Sequence, residues 1–146
     1  MWQISPLEVD IATKLIVSAI LGMIVGLDRE IRGKPAGLRT HILVCVGAAL
    51  FTIVSVVVEG GLDTRIASGI VTGIGFLGAG MIFHAENKVS GLTTAAEIWV
   101  LGAIGIAVGF GLYFAAIVAT ILVIFVLKPG KLLEKRMDEK LRKKRR

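Results

Sequence analysis

Long uncharged apolar runs alternate with short polar clusters along this chain, and the runs have the length of membrane-crossing helices. The pattern predicts five of them. The first opens at Ser5-Pro6-Leu7-Glu8, a capping serine followed by proline at the first helical position and glutamate at the third. It runs to about Arg32, where Gly33 and Pro35 stop it. The second begins near Leu38 to Thr40 and ends before Gly60-Gly61. Asp63-Thr64 caps the third, about Arg65 to Phe83, and the polar stretch from His84 to Leu92 reads as a loop. Thr94-Ala95-Ala96-Glu97 has the form of a second capping box and predicts the start of the fourth helix. The apolar run that follows is too long for one comfortable span. Gly109-Phe110-Gly111 divides it into helix 4, to about Val108, and helix 5, about Leu112 to Leu127. The expectation is an all-α polytopic membrane protein, with a transmembrane domain over residues 1–128 and a basic amphipathic cytoplasmic tail over 129–146.

Composition agrees with this pattern. The chain is 55% hydrophobic with a mean hydropathy of +0.82, well beyond a soluble domain. Its net charge of +6 suggests nucleic acid until the charge is located: ten of the seventeen Lys and Arg residues fall between Lys128 and Arg146. A basic block just past an apolar span, with Leu132, Leu133, Met137 and Leu141 along one helical face, fits an interfacial helix on anionic lipid and not a nucleic-acid patch. With five spans, Arg29, Arg32, Lys34, Arg39, Lys88 and the tail share one side, while Lys14 and Arg65 lie on the other. The positive-inside rule then places the N-terminus outside and the C-terminus in the cytoplasm. A four-span arrangement would divide these charges between the two faces. The first four residues lack the positive segment of a secretory signal.

Three polar groups fall at helix ends that this topology brings to the cytoplasmic leaflet: Asp28, Arg29 and Glu30; Arg39, Thr40 and His41; Thr93, Thr94 and Glu97. Ionisable groups at membrane depth face the bundle interior and pair. The pairs expected are Asp28 with Arg39 or Arg29 with Glu97, with the charged groups of residues 28, 39 and 97 meeting on the inner face. Glu97 has a second, purely structural reading as the last residue of its capping box. On the outer side Asp10 and Lys14, one turn apart, are expected to pair, as are Asp63 and Arg65. His41 and His84 lack a carboxylate or cysteine at zinc-ligand spacing, and Cys45, the single cysteine, reads as a small buried apolar residue. Neither a metal site nor a cofactor is predicted.

Glycine is dense in the first and third helices, at Gly22, Gly26, Gly69, Gly73, Gly75, Gly78 and Gly80. Small residues four apart let helix backbones approach in lipid. Between the polar layers the spans offer only Ser18, Thr52, Ser55, Ser68, Thr72 and Thr120 as polar side chains, a poor ion path. There is no nucleophile–base pair, and Gly73-Ile74-Gly75-Phe76-Leu77-Gly78 has dinucleotide-loop spacing within an apolar span, so an enzyme is not expected. The residues favour a non-enzymatic protein acting through helix association, as a homo-oligomer or with another membrane protein; the alternative is an ion transporter with Asp28, Glu30 and Glu97 at its cytoplasmic mouth.

Several stretches resemble the MgtC/SapB family of bacterial inner-membrane proteins, most closely its short YhiD-like branch. They are Gly26-Leu27-Asp28-Arg29-Glu30, Ala36-Gly37-Leu38-Arg39-Thr40-His41, Arg65-Ile66-Ala67, Val71 to Gly80, and Gly91 to Trp99. The resemblance implies a five-span domain and a link to Mg²⁺ limitation, magnesium homeostasis and stress adaptation, with regulation of other membrane proteins or Mg²⁺ transport as the activity. It carries the family's acidic-Arg motif to Asp28 and Arg29, its Gly-Leu-Arg-Thr motif to Gly37, Leu38, Arg39 and Thr40, and its third-helix basic residue to Arg65.

Overall fold

The computed structural model describes residues 4–60, 64–85 and 88–128. Among them are five helices, α1 (Pro6–Ile31), α2 (Leu38–Glu59), α3 (Thr64–Ala79), α4 (Leu92–Gly109) and α5 (Tyr113–Leu127), with a two-stranded hairpin of β1 (Phe83–Ala85) and β2 (Lys88–Ser90) between α3 and α4. Three helices, α1, α2 and α4, are long and apolar enough to cross a membrane. α3 and α5 are apolar but shorter. The basic tail, its apolar stripe, and the Asp63–Arg65 pairing lie outside the described residues.

The start of α1 is the one the sequence specifies. Ser5 Oγ accepts from the Glu8 amide at 3.2 Å while the Glu8 carboxylate accepts from the Ser5 amide at 2.6 Å. At the other end Gly33 takes a φ of +59°, and its amide and that of Lys34 donate to the Glu30 and Arg29 carbonyls. The chain reverses at once into α2. Gly37 precedes that helix and has no side chain to cap it, so the Glu30 carboxylate accepts from the Leu38 amide at 2.9 Å instead.

α3 stops four residues earlier than its apolar run, at Ala79 and not at Phe83. Gly80 turns the chain, the Met81 and Ile82 amides bond three residues back to Gly78 and Ala79, and the expected loop after it begins as the hairpin. Phe83 pairs with Ser90, His84 with Val89, and Ala85 with Lys88. Gly91 then takes a φ of +88°, with its Cα facing the Met81 carbonyl, and α4 starts at Leu92. The second capping box therefore does not form. Thr94 and Glu97 lie within the helix, and both are buried.

α4 is the centre of the bundle. Leu101, Ile104 and Val108 enter a core with Leu21 and Val25 of α1, Cys45 of α2 and Ala116 of α5, while Ile98 packs with Ile74 of α3 and Ala48 of α2. Lipid is as apolar as these side chains, so close packing rather than escape from water holds the helices together. Glycine supplies that closeness at two interfaces. Gly22 and Gly26 of α1 lie against the α2 backbone, where an added methyl would come within 2.8 Å of His41 O and of Leu38 Cα. Gly105 and Gly109 of α4 lie against Cys45, Ala48 and Thr52 of α2. Residue numbers fall along α2 as they rise along α1, but rise together along α2 and α4, so α2 is antiparallel to α1 and parallel to α4.

Candidate functional site

At the end of the bundle where α1 turns into α2, four polar side chains from three helices meet. Arg29 comes from the last turn of α1, His41 from the first turn of α2, and Thr94 and Glu97 from the first turns of α4. The interiors of these helices are apolar, yet Arg29 is 4%, His41 0% and Glu97 5% exposed. Arg29 Nε stands 2.7 Å from Glu97 Oε2, bent too far for a hydrogen bond and therefore an ion contact. Its Nη2 donates to Thr94 Oγ1 at 3.0 Å. The other carboxylate oxygen, Glu97 Oε1, faces His41 Nε2 at 3.2 Å, and His41 Nδ1 donates to the Gly37 carbonyl at 2.7 Å.

Of the two ion pairs expected from the sequence, the structure makes Arg29–Glu97. It does not make Asp28–Arg39. Asp28 pairs with Arg32 on its own helix at 2.9 Å, one turn away, and Arg39 faces outward. The charged groups of residues 28, 39 and 97 accordingly do not converge. Helical phase explains this: Asp28 and Arg29 are 100° apart on α1, and only Arg29 points at α4. Glu30 is held at the head of α2 by Leu38, Thr40 is half-buried on α2, and Thr93 faces outward into an apolar cleft of about 310 Å³ between α4 and α5 that ends on Glu97. Among the described residues no three His, Cys, Asp or Glu side chains are grouped as metal ligands. At the far end Lys14 and Asp10 pair at 2.7 Å, as expected.

The glycines divide sharply. Gly22 and Gly26 are covered by α2, and Gly78 meets Ala95 of α4. Gly80 meets only carbonyls of its own turn. Among the described residues a methyl added at Gly69, Gly73 or Gly75 would touch nothing within 4 Å, and the same holds for Gly47 on α2. Gly47, Gly69 and Gly73 line a cleft of about 750 Å³ between α2 and α3, flanked by Phe51 and Leu77 and with Arg65 at its rim. Of the glycines expected to serve helix association, those of α1 are therefore consumed by the fold, while Gly69, Gly73 and Gly75 of α3 stay open among the described residues. Conversely, the tight packing of Gly102, Gly105 and Gly109 on α4 escaped the sequence reading, although their spacing of three and four residues sets them on one helix face.

Four of the six hydroxyls of the apolar layer are committed locally. Ser18, Thr52 and Thr120 each donate to a carbonyl of their own helix at 2.8 Å, and Thr72 does so at 3.1 Å.

Comparison with known proteins supplies the family. The sequence model of the MgtC family matches residues 15–136. The chain is 45% identical over 124 residues to a protein of Escherichia coli K12 named "Putative magnesium transporter YhiD", covering 79% of this chain and 58% of that protein. It is 49% identical over 108 residues to Protein MgtC of Brucella abortus strain 2308, covering 73% and 45% respectively. Against Protein SrpB of Synechococcus elongatus it is 36% identical over 137 residues, covering 84% and 75%. The chain thus spans about half of the YhiD and MgtC relatives it matches. No solved structure matches it.

Proposed function

The chain belongs to the MgtC family, and from that premise we propose that it is a non-enzymatic protein of the bacterial inner membrane that acts by binding a transmembrane helix of another membrane protein. In this reading all five helices cross, the N-terminus is outside and the C-terminus cytoplasmic. α3 and α5, at about 24 and 22 Å, reach through by local thinning of the bilayer. The family link to Mg²⁺ limitation makes the setting one of stress adaptation.

One observation carries the proposal: α3 keeps its glycine face open. Glycine in a helix interior costs about 1 kcal/mol relative to alanine, and nothing among the described residues calls for it at Gly69, Gly73 and Gly75. A helix laid in the α2–α3 cleft would have backbone contact along Gly69-x-x-x-Gly73, the arrangement that stabilises helix pairs in lipid. The local bonding of Ser18, Thr52, Thr72 and Thr120 and the separation of Asp28, Glu30 and Glu97 support a binding protein over a conduit.

The test is cross-linking in native membranes through a cysteine introduced at position 70, in a chain with Cys45 replaced by alanine. Bands that vanish on Gly73→Leu while insertion and melting stay unchanged support the proposal. Undiminished bands in that variant refute it.

The name of the Escherichia coli relative favours the second reading, Mg²⁺ transport. Purified protein in vesicles loaded with a Mg²⁺-sensitive dye decides between the two: flux above that of empty vesicles favours transport.

A further inference from the structure

The ring of His41 lies between two oxygen acceptors, and this fixes how many protons the site needs. The Gly37 carbonyl, 2.7 Å from Nδ1, can only accept, so Nδ1 carries a hydrogen. A neutral imidazole then turns a bare lone pair on Nε2 toward Glu97 Oε1, 3.2 Å away. With Glu97 ionised, two lone pairs would face each other in a fully buried place, where an unsatisfied polar group costs most. The other neutral tautomer only moves the conflict to Gly37.

One additional proton removes it, either on Nε2, making an imidazolium between two acceptors, or on Oε1, making a carboxylic acid that donates to Nε2. We infer that Arg29, His41 and Glu97 form a binding site for one proton, held between His41 Nε2 and Glu97 Oε1. The occupied cluster has a net charge of +1 in either form, since Arg29 remains a guanidinium.

The surrounding charges leave this assignment intact. α1 contributes Arg29, while its Asp28 and Arg32 pair with each other and its Glu30 is bound to the Leu38 amide. α2 contributes His41, its Arg39 facing outward. From α4 comes Glu97 alone. The described part of α3 has Arg65 at the rim of the other cleft, and α5 is followed at this end by the exposed Lys128. Glu97 also borders the apolar α4–α5 cleft, but its side chain is only 2% exposed, so the site is closed off from that side. Because the proton bridges α2 to α4 while Arg29 ties α1 to α4, its binding is coupled to the packing of three helices. Its loss loosens α2 from α4.

The test uses the full chain in lipid nanodiscs with ¹⁵N-labelled histidine. There are two histidines, so His84→Gln leaves the ring of His41 alone in the spectrum. At neutral pH the expected result is two protonated ring nitrogens. A neutral ring hydrogen-bonded at Nε2, together with a carboxylic-acid C=O infrared band that Glu97→Gln abolishes, supports the site equally. The same substitution should leave His41 neutral, its amide donating to Nε2. Where the amide variant does not insert, Glu97→Asp serves, displacing the band instead of removing it. A neutral ring without any such band overturns the inference.

Discussion

Gly109 of α4 lies so close to Thr52 of α2 that an added methyl would come within 2.6 Å of Thr52 Cβ. One turn earlier, at Gly105, the same methyl would meet the Cys45 carbonyl and come within 2.8 Å of Ala48 Cβ. Neither neighbour is the end of a flexible chain, so the helices must part. Gly105→Ala and Gly109→Ala should each destabilise the protein by about 1–3 kcal/mol, the range for overpacking. Gly69→Ala and Gly73→Ala, which meet open space, should be neutral or up to about 1 kcal/mol stabilising. Thermal unfolding in one detergent across the four variants tests the contrast. Similar losses at all four positions would mean that the α3 face is covered by its own bundle.

Arg29 and Glu97 are buried together, and breaking such a pair from one side is far worse than replacing both. Arg29→Met or Glu97→Leu alone should lose about 3–5 kcal/mol, because the surviving charge has no water to turn to. The double variant should recover most of that loss. Arg29→Lys should not substitute, since an ammonium on a flexible stem cannot hold Glu97 and Thr94 at once with the geometry of a guanidinium fork. A double-mutant cycle on unfolding free energies measures this, and additive single losses would place the two charges in separate surroundings.

How much of this was legible in the residues depends on how local each signal is. The Ser5–Glu8 box and the Asp10–Lys14 pair connect neighbours on one helix, and both form as read. Arg29–Glu97 was legible as one of two candidates, because burying one of the few charges near an apolar layer demands a partner. Choosing it over Asp28–Arg39 needs the rotational phase of α1 against α4, which no spacing within a single helix conveys. Thr94-Ala95-Ala96-Glu97 misled for a related reason. A capping box and a buried ion pair use the same residue types, and Gly91, with its positive φ, starts the helix three residues earlier than a Thr94 cap would. The end of α3 at Ala79 was hidden by the apolar run continuing to Phe83, since a hairpin strand and a helix end can share the same hydrophobicity. The α4 glycine face could have been found from its spacing.

Gly91 combines a φ of +88° with a carbonyl, that of Met81, directly in the path of any side chain. Gly91→Ala therefore meets both a disfavoured backbone and a collision, and should cost more than the ~1 kcal/mol of conformational preference alone. The strain falls at the joint of β2 and α4, so its effect should be local. Hydrogen exchange should rise in the hairpin and the first turn of α4 while the α1–α2 interface stays protected. Gly33→Ala offers the control, having a φ of +59° with nothing within 4 Å of the added methyl, and so only the backbone term. Equal effects at the two glycines would argue against the close approach of Met81.

Glu30 supplies the cap that Gly37 lacks, reaching eight residues along the chain to the Leu38 amide. Glu30→Ala should leave that amide without its acceptor at the head of α2 and cost about 1 kcal/mol, the usual worth of an N-terminal cap. In the native background the Cβ of Gly37→Ser would run into the Glu30 carboxylate, the end of a flexible side chain that can swing aside and give up the Leu38 amide to the serine. In the Glu30→Ala background that obstruction is gone, and the serine hydroxyl can accept from the α2 amides itself. Glu30→Ala should therefore be destabilising alone, Gly37→Ser close to neutral alone, and the serine should offset the loss in the double variant, a non-additivity that unfolding measurements on the three variants would detect. If Gly37→Ser is destabilising by the same amount in both backgrounds, Glu30 is not the residue that closes the turn between α1 and α2.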